Sequence, residues 1–183
     1  MKIIISGLTA SGKSTLVAGL SNQLDFSIFS GSSKLREFMP PKLFDFWESK
    51  KGLDALKFRL AHTKYDRRLD DYILEYAKNN DNFILDSWTA SWRIKDDAIK
   101  IYLKADLKIR AARVSERDQI PFASAIKFMK EKDKLSIKIY KKLYNISIDT
   151  DTAPFDLVID SGTLSISDLR DLCLDYIRKR QIN

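Results

Sequence analysis

The sequence of 183 residues lacks features that several large classes of protein require. Its single cysteine, Cys173, excludes a disulfide framework and a thiolate zinc cluster. Its single histidine, His62, excludes a histidine-based metal site and a Ser/His/Asp catalytic triad. The longest apolar runs have the length of a strand, so we expect no membrane span, and the opening MKIIISG is too short for a secretory signal. These absences favour a cytoplasmic protein.

The charge of the chain is basic and unevenly distributed. Lysine and arginine number 32 against 25 aspartates and glutamates, which gives a net charge of +7. Seven of the lysines lie between Lys127 and Lys142, where only Glu131 and Asp133 oppose them. Such a cluster suits a small ligand rich in phosphate as well as it suits nucleic acid.

Since 44% of the residues are hydrophobic, we also expect the chain to form a hydrophobic core, within one domain over 1–183.

Short apolar runs alternate with helical patterns along the chain, without an internal repeat or a low-complexity linker. Because alternating strands and helices build parallel sheets covered on both faces, we expect an α/β fold whose ligands bind at the carboxyl ends of the strands. Phe44, Phe46 and Trp47 follow two prolines, and we expect them to pack an inserted helix. The predicted strands are 2–6, 26–29, 82–86, 98–103 and 156–160, and the predicted helices are 13–24, 33–38, 53–77, 107–116, 122–144 and 166–178.

A phosphate-binding loop follows the first predicted strand and opens the first predicted helix. Its pattern, G-x-x-x-x-G-K-S, needs glycines so that backbone N–H groups approach phosphate closely, and the helix dipole adds positive charge there. The lysine of the pattern reaches the β- and γ-phosphates, and the serine hydroxyl is a ligand for Mg²⁺. The motif predicts binding of ATP with Mg²⁺ by Gly7, Leu8, Thr9, Ala10, Ser11, Gly12, Lys13, Ser14 and Thr15.

Further charged residues lie near the predicted carboxyl edge of the sheet. Asp86 ends the third predicted strand, where it would hold a magnesium-bound water, deprotonate a hydroxyl acceptor or cap a turn. Arg110, Arg113 and Arg117 share one helical face, and their mutual repulsion favours an anion among them. Trp88, like Trp92, is placed either to stack on a base or to pack in the core.

Taken together, these segments resemble cytidylate kinases, of the nucleoside monophosphate kinase group, and in particular the short archaeal type. A Ras-type GTPase is excluded because the sequence lacks N-K-x-D. Apart from the phosphate-binding loop, no single segment is specific, but their order and spacing are. The other matching segments are SGSSKLRE from Ser30, Asp66-Arg67-Arg68, AIKIYLKA from Ala98, the R-x-x-R-x-x-x-R spacing from Arg110, and Asp160-Ser161-Gly162-Thr163-Leu164-Ser165.

The resemblance implies a P-loop NTPase fold with three layers, α/β/α, and a five-stranded parallel sheet in the order 2-3-1-4-5. It also implies an acceptor-binding flap at about 31–64 and a helical lid at about 117–147. It implies a monomer that binds ATP and a nucleoside monophosphate, with neither membrane nor nucleic acid as a partner.

Roles for individual residues follow from the motif, from position in the fold and from the resemblance. The phosphate-binding motif predicts that Lys13 is catalytic and that Ser14 is a metal ligand, and the strand end predicts Asp86 as a second metal ligand. The resemblance implies that Arg110, Arg113 and Arg117 are also catalytic and that Ser161, Gly162 and Thr163 belong to the ATP site. It implies acceptor binding by Ser30, Arg36, Asp66 and Arg67, and we expect Trp88 at the acceptor as well.

The chain departs from the family pattern at two places. Ser87-Trp88 stands where the family usually has Gly-Arg, and the lid carries Lys132, Lys134 and Lys138 in place of several arginines. Lysine supplies charge without the planar fork of arginine. Three hypotheses therefore stay open: transfer to CMP or dCMP, transfer to a hydroxyl acceptor (a nucleoside, a sugar-like metabolite or dephospho-coenzyme A) with Asp86 as base, and an RNA-associated accessory protein that only binds nucleotide.

Overall fold

The computed structural model of the chain describes residues 1–41, 52–95 and 97–182. Phe44, Phe46 and Trp47 lie outside the described residues, so the helix expected there stays a prediction. In chain order the elements are β1 (Lys2–Ser6), α1 (Lys13–Leu24), β2 (Ser27–Ser30), α2 (Gly31–Phe38), α3 (Gly52–Ala61), α4 (Lys64–Asn79), β3 (Phe83–Asp86), α5 (Ala90–Arg93), β4 (Ile99–Lys104), α6 (Leu107–Asp118), α7 (Phe122–Tyr144), β5 (Leu157–Asp160) and α8 (Ile166–Ile182).

The five strands form one parallel sheet in the order β2-β3-β1-β4-β5, which confirms the predicted topology. The central strand β1 is a run of isoleucines because both of its faces are buried. Ile3 and Ile5 pack with α1 and α8 on one face, whereas Ile4 packs with α2 and α4 on the other. The sheet therefore lies between two helical layers, and its carboxyl edge collects the loops that follow each strand.

One predicted helix is wrong. The apolar pattern over 53–77 predicts a single long helix, but the structure has α3 and α4 with His62 and Thr63 between them. No proline or glycine marks the break. Thr63 and Asp66 form a T-x-x-D pattern, which is typical of a helix start, although the Thr63 side chain makes no capping hydrogen bond in the structure.

The long helix α7 contacts two other helices along its length. The first half of α7 packs on α6 through Ala125 and Met129. Its second half packs on α3, where Ile139 and Tyr140 meet Leu56. The segments that we predict to form the lid and the acceptor flap thus contact each other through α7 and α3. No helix in the described ranges is long and apolar enough to cross a bilayer.

Candidate active site

The loop between β1 and α1 has the backbone conformation that its glycines permit. Gly7 has a φ of +143° and Gly12 a φ of +94°, values that other residues resist. A Cβ at Gly7 would also collide with the carbonyl oxygen of Leu103. The loop therefore curls tightly against β4 and presents the amino end of α1, with its positive dipole, to the carboxyl edge of the sheet.

Two polar side chains at the start of α1 point toward this edge. Lys13 is 8% exposed, and its Nζ donates a hydrogen bond to the carbonyl oxygen of Leu8 at 3.0 Å. The pKa of Lys13 is lowered by burial, and the nearby Asp86 carboxylate offsets only part of this effect. Ser14 donates from its hydroxyl to Asp86 Oδ2 at 3.0 Å. The structure thus brings together the predicted lysine and both predicted metal ligands.

The Ser14 hydroxyl and the Asp86 carboxylate fit a magnesium ion. Both present oxygen, the ligand that Mg²⁺ prefers, and Mg²⁺ in phosphate sites is held by one or two protein groups together with phosphate oxygens and waters. Among the described residues no cluster of three or more His, Cys, Asp or Glu side chains has metal-binding geometry. The two groups therefore suit an ion that arrives with a phosphate ligand.

Two cavities meet at the phosphate-binding loop. The flap cavity, of about 320 Å³, lies between that loop, α2, α3, the segment after β3 and α7. The α8 cavity, of about 390 Å³, lies between the same loop, α6 and the start of α8. Ala10, Lys13, Ser14 and Arg117 line both of them. A ligand in one cavity would therefore meet a ligand in the other at these four residues.

The flap cavity is strongly positive. Among the described residues that line it, the only carboxylate is Asp86. Gly31 and Ser32, at the amino end of α2, add the dipole of that helix. The basic residues that line the cavity are Lys13, Arg36, Arg59, Arg117 and Lys132.

The pKa of Lys132 reflects the other positive charges of the cavity. Burial, followed by the positive charges of Arg117, Lys13 and Arg59, lowers the pKa of Lys132 to about 8. Like charges gathered in a partly buried cavity repel one another unless an anion joins them. The arrangement therefore favours a ligand with at least two negative charges.

Arg59 is a cavity residue that the sequence pattern does not indicate. Its guanidinium is buried between Asp66 and Tyr140, with Nη2 donating to the Tyr140 hydroxyl at 2.9 Å. Burial would lower the pKa of Arg59, but the Asp66 carboxylate and the Tyr140 hydroxyl together more than offset burial and raise it. Asp66, which we expected at the acceptor, is 1% exposed and faces Arg59. Any effect of Asp66 on a ligand would therefore pass through Arg59.

Arg110 is buried beneath the phosphate-binding loop. Its Nη1 donates to the carbonyl oxygen of Thr9 at 3.2 Å, and its Nη2 pairs with Asp133 on α7 at 2.7 Å. Within the described part of the chain, Arg110 lines neither of the two cavities. It ties the loop to α7, and its predicted catalytic role stays a prediction.

The other two arginines of α6 lie at the α8 cavity. Arg113 donates to the carbonyl oxygens of Ala10, at 3.1 Å, and Ser161, at 2.6 Å, and so joins the phosphate-binding loop to the loop after β5. Arg117 pairs with Asp118 at 2.6 Å and lines both cavities. Of the three arginines predicted to be catalytic, Arg117 is the one placed where the cavities meet.

The remaining predicted residues fall into two groups. Arg36 and Trp88 line the flap cavity, with the ring of Trp88 5.7 Å from the Lys13 ammonium. Ser161 lines the α8 cavity and donates from its hydroxyl to the carbonyl oxygen of Ser11 at 2.6 Å. Four predicted residues line neither cavity, although each is a neighbour in the sequence of the cavity residues or their partners. Ser30 caps α2, Arg67 is exposed on α4, and Gly162 and Thr163 hydrogen-bond to Asp160.

Comparison with known proteins decides the family. Residues 2–163 match the cytidylate kinase-like family. The chain belongs to that family. The cytidylate kinase of Pyrobaculum islandicum is 36% identical over 179 residues, which are 96% of this chain and 91% of that protein. The cytidylate kinase of Saccharolobus islandicus is 33% identical over 181 residues, 97% of this chain and 90% of that protein.

A solved structure supports the fold assignment. Shikimate kinase from Acinetobacter baumannii has a TM-score of 0.61 at 14% identity, with 100% of this chain and 95% of that chain covered. At this identity the likeness concerns the P-loop kinase fold alone. As a member of its family, the chain is a nucleoside monophosphate kinase, and kinases of this kind use ATP with Mg²⁺.

Proposed function

We propose that the chain transfers the γ-phosphoryl group of ATP to the phosphate of CMP or dCMP. The observation that carries the proposal is the meeting of the flap cavity and the α8 cavity at Ala10, Lys13, Ser14 and Arg117. ATP would occupy the α8 cavity and the acceptor the flap cavity. Two nucleotides placed in this way would present their phosphates to each other across the phosphate-binding loop.

The donor phosphates would be held by groups at the start of α1. The backbone N–H groups of the loop and the Lys13 ammonium would bind the β- and γ-phosphates. Ser14 and Asp86 would hold Mg²⁺, which, when bound, neutralises charge on the donor phosphates. Arg113 and Ser161, already joined by a hydrogen bond of 2.6 Å, would form the wall on the nucleoside side.

The acceptor phosphate would need no general base. A phosphate monoester is ionised at pH 7, so its oxygen is already a nucleophile. The protein would contribute alignment and charge neutralisation, which supply most of the catalysis in phosphoryl transfer. Arg36 and the amino end of α2 would anchor the acceptor phosphate, while Arg117 and Lys132 would close over the transferred group.

Three observations support a pyrimidine acceptor. The flap cavity, at about 320 Å³, lies at the lower end of ordinary ligand pockets, which favours the smaller base. The ring of Trp88 lines it and offers a surface for stacking. The 36% identical relative is named a cytidylate kinase.

The proposal is tested by incubating the protein with ATP, Mg²⁺ and each of CMP, dCMP, UMP, AMP, GMP and dephospho-coenzyme A, and measuring ADP. We expect the highest kcat/KM with CMP or dCMP. Transfer to dephospho-coenzyme A alone would favour the hydroxyl acceptor with Asp86 as base. Transfer to none, together with a salt-dependent affinity for RNA, would favour an accessory protein. We expect a monomer in the cytoplasm, and size-exclusion chromatography checks the monomer.

A further inference from the structure

We propose that Arg59 binds the acceptor phosphate in the flap cavity, with Asp66 and Tyr140 holding its guanidinium in place. The inference rests on the proposed function, since it concerns the acceptor side of that reaction. It assigns a ligand contact to α3, and it makes Asp66 and Tyr140 positioning residues that act through Arg59.

The guanidinium is held by groups from two other helices. Its Nε lies 3.2 Å and 3.3 Å from the two carboxylate oxygens of Asp66 on α4, and Nη2 donates to the same carboxylate. Nη2 also lies 2.9 Å from the hydroxyl of Tyr140 on the lid helix α7. Because a planar guanidinium bound by a carboxylate loses little further freedom when it binds a ligand, this arrangement prepares Arg59 for an oxyanion.

The break between α3 and α4 makes this contact possible. Arg59 and Asp66 are seven residues apart, which in an uninterrupted helix would separate them by about 10 Å along the axis. With His62 and Thr63 between two helices, the side chains form a bidentate pair instead. The local fold thus places a buried cation at the wall of the cavity.

The position of Arg59 points to the acceptor rather than to ATP. Arg59 lines the flap cavity and, among the described residues, does not contribute to the lining of the α8 cavity. Lys13, Arg117 and Lys132 line the same cavity, and the charges of Arg59, Lys13 and Arg117 all lower the pKa of Lys132. A phosphate monoester carries nearly two negative charges at pH 7 and would relieve their repulsion.

A purely structural ion pair is the competing explanation, and a double variant separates the two. Replacing both members of a buried ion pair with neutral side chains of similar volume is often close to neutral for stability, whereas removing one leaves an uncompensated charge. The double variant Arg59→Met, Asp66→Asn should therefore fold, although it lacks the guanidinium. Lys57→Gln, an exposed lysine on the same helix, removes the same charge away from the cavity and serves as the control.

The experiment measures kcat and KM for CMP and for ATP, with thermal melting, for the wild type, Arg59→Lys, the double variant and the control. In the double variant we expect KM for CMP to rise about a hundredfold, as for the loss of a charged hydrogen-bond partner, with KM for ATP within about twofold. Arg59→Lys should show an intermediate rise, and Lys57→Gln none. A double variant with the wild-type KM for CMP would overturn the inference.

Isothermal titration with the monophosphate alone distinguishes this inference from the proposed function. If the wild type uses a monophosphate other than CMP or dCMP, the proposed acceptor is wrong, and the same comparison is made with the monophosphate that is used. Weaker binding by the double variant then still supports a role for Arg59, and unchanged binding overturns it. A wild type that binds no monophosphate would overturn both proposals.

Discussion

Ser14 and Asp86 are joined by a hydrogen bond of 3.0 Å although 72 positions separate them in the chain. The sheet brings them together because β1 and β3 are neighbouring parallel strands, paired in register from Lys2 with Phe83 to Ile5 with Asp86. Strands that start together end together, so the loop after β1 opens beside the carboxylate that ends β3. This pair marks the place where we propose that magnesium and the donor phosphates bind.

Replacing Lys13 should abolish phosphoryl transfer and leave the fold intact. Its ammonium is buried and bonded only to the carbonyl oxygen of Leu8 among the bonds described, so a shorter apolar side chain removes no structural ion pair. We expect kcat/KM of Lys13→Ala to fall by at least about a thousandfold, as for the loss of a group that stabilises the transferred phosphoryl. Lys108→Ala, an exposed lysine on α6, is the control. Turnover near that of the wild type would contradict the assignment of the site.

Asp86→Asn should raise the concentration of Mg²⁺ needed for half-maximal activity. The amide is a weaker metal ligand than the carboxylate, while the hydrogen bond with Ser14 keeps its geometry. We expect activity to recover in large part at high Mg²⁺, and we expect Asp81→Asn, exposed before β3, to behave as the wild type. A loss of several orders of magnitude that added Mg²⁺ does not relieve would instead identify Asp86 as a general base.

The affinity for the acceptor should fall as the pH rises through about 8. Burial and the neighbouring cations lower the pKa of Lys132 to about 8, so its positive charge is present below this pH and lost above it. The acceptor phosphate stays doubly ionised over the same range, and its own titration does not interfere. We expect KM for CMP to increase between pH 7 and 9 in the wild type and in Lys134→Gln, but to be higher and nearly constant in Lys132→Gln. Parallel profiles for all three proteins would show that Lys132 does not face the acceptor.

Stability should decrease between about pH 4 and pH 6 because of Asp70. Burial raises the pKa of this carboxyl to about 6, and the hydrogen bond from Thr89, of 2.9 Å, only partly offsets it. Since the folded-state pKa lies above the unfolded one, the neutral acid stabilises the fold at low pH, and this contribution disappears as Asp70 ionises. Relative to Asp70→Asn, the free energy of unfolding of the wild type should fall by about 2 to 3 kcal/mol across this range. Urea titrations at several pH values measure it, and a constant difference would contradict the prediction.

The sheet and the phosphate-binding loop follow from local patterns in the sequence. The isoleucines of β1 and the glycines of the next loop are adjacent residues with strong conformational preferences, and the helical period of α7 predicts the observed bounds, Phe122–Tyr144. Asp86 lies at a strand end, so the topology alone brings it to Ser14. These features needed no knowledge of how distant side chains pack.

The residues missed by sequence analysis depend on packing between distant segments. Arg59 lies at the cavity because the helix is interrupted between α3 and α4. Its guanidinium also contacts Tyr140 on α7, which is 81 positions away in the chain. No local pattern distinguishes it from an exposed arginine on an amphipathic helix. Trp88 and Arg59 line the same cavity although they belong to different segments of the chain. A motif in the sequence does not show such a meeting of distant side chains.

Binding of a bisubstrate analogue tests the central claim most directly. A pentaphosphate with adenosine at one end and cytidine at the other would span the flap cavity and the α8 cavity past Lys13 and Arg117. If the two cavities hold the acceptor and the donor, the analogue binds with a stoichiometry of one and competes with both ATP and CMP in steady-state kinetics. Competition with ATP alone, at any concentration of CMP, would contradict the account.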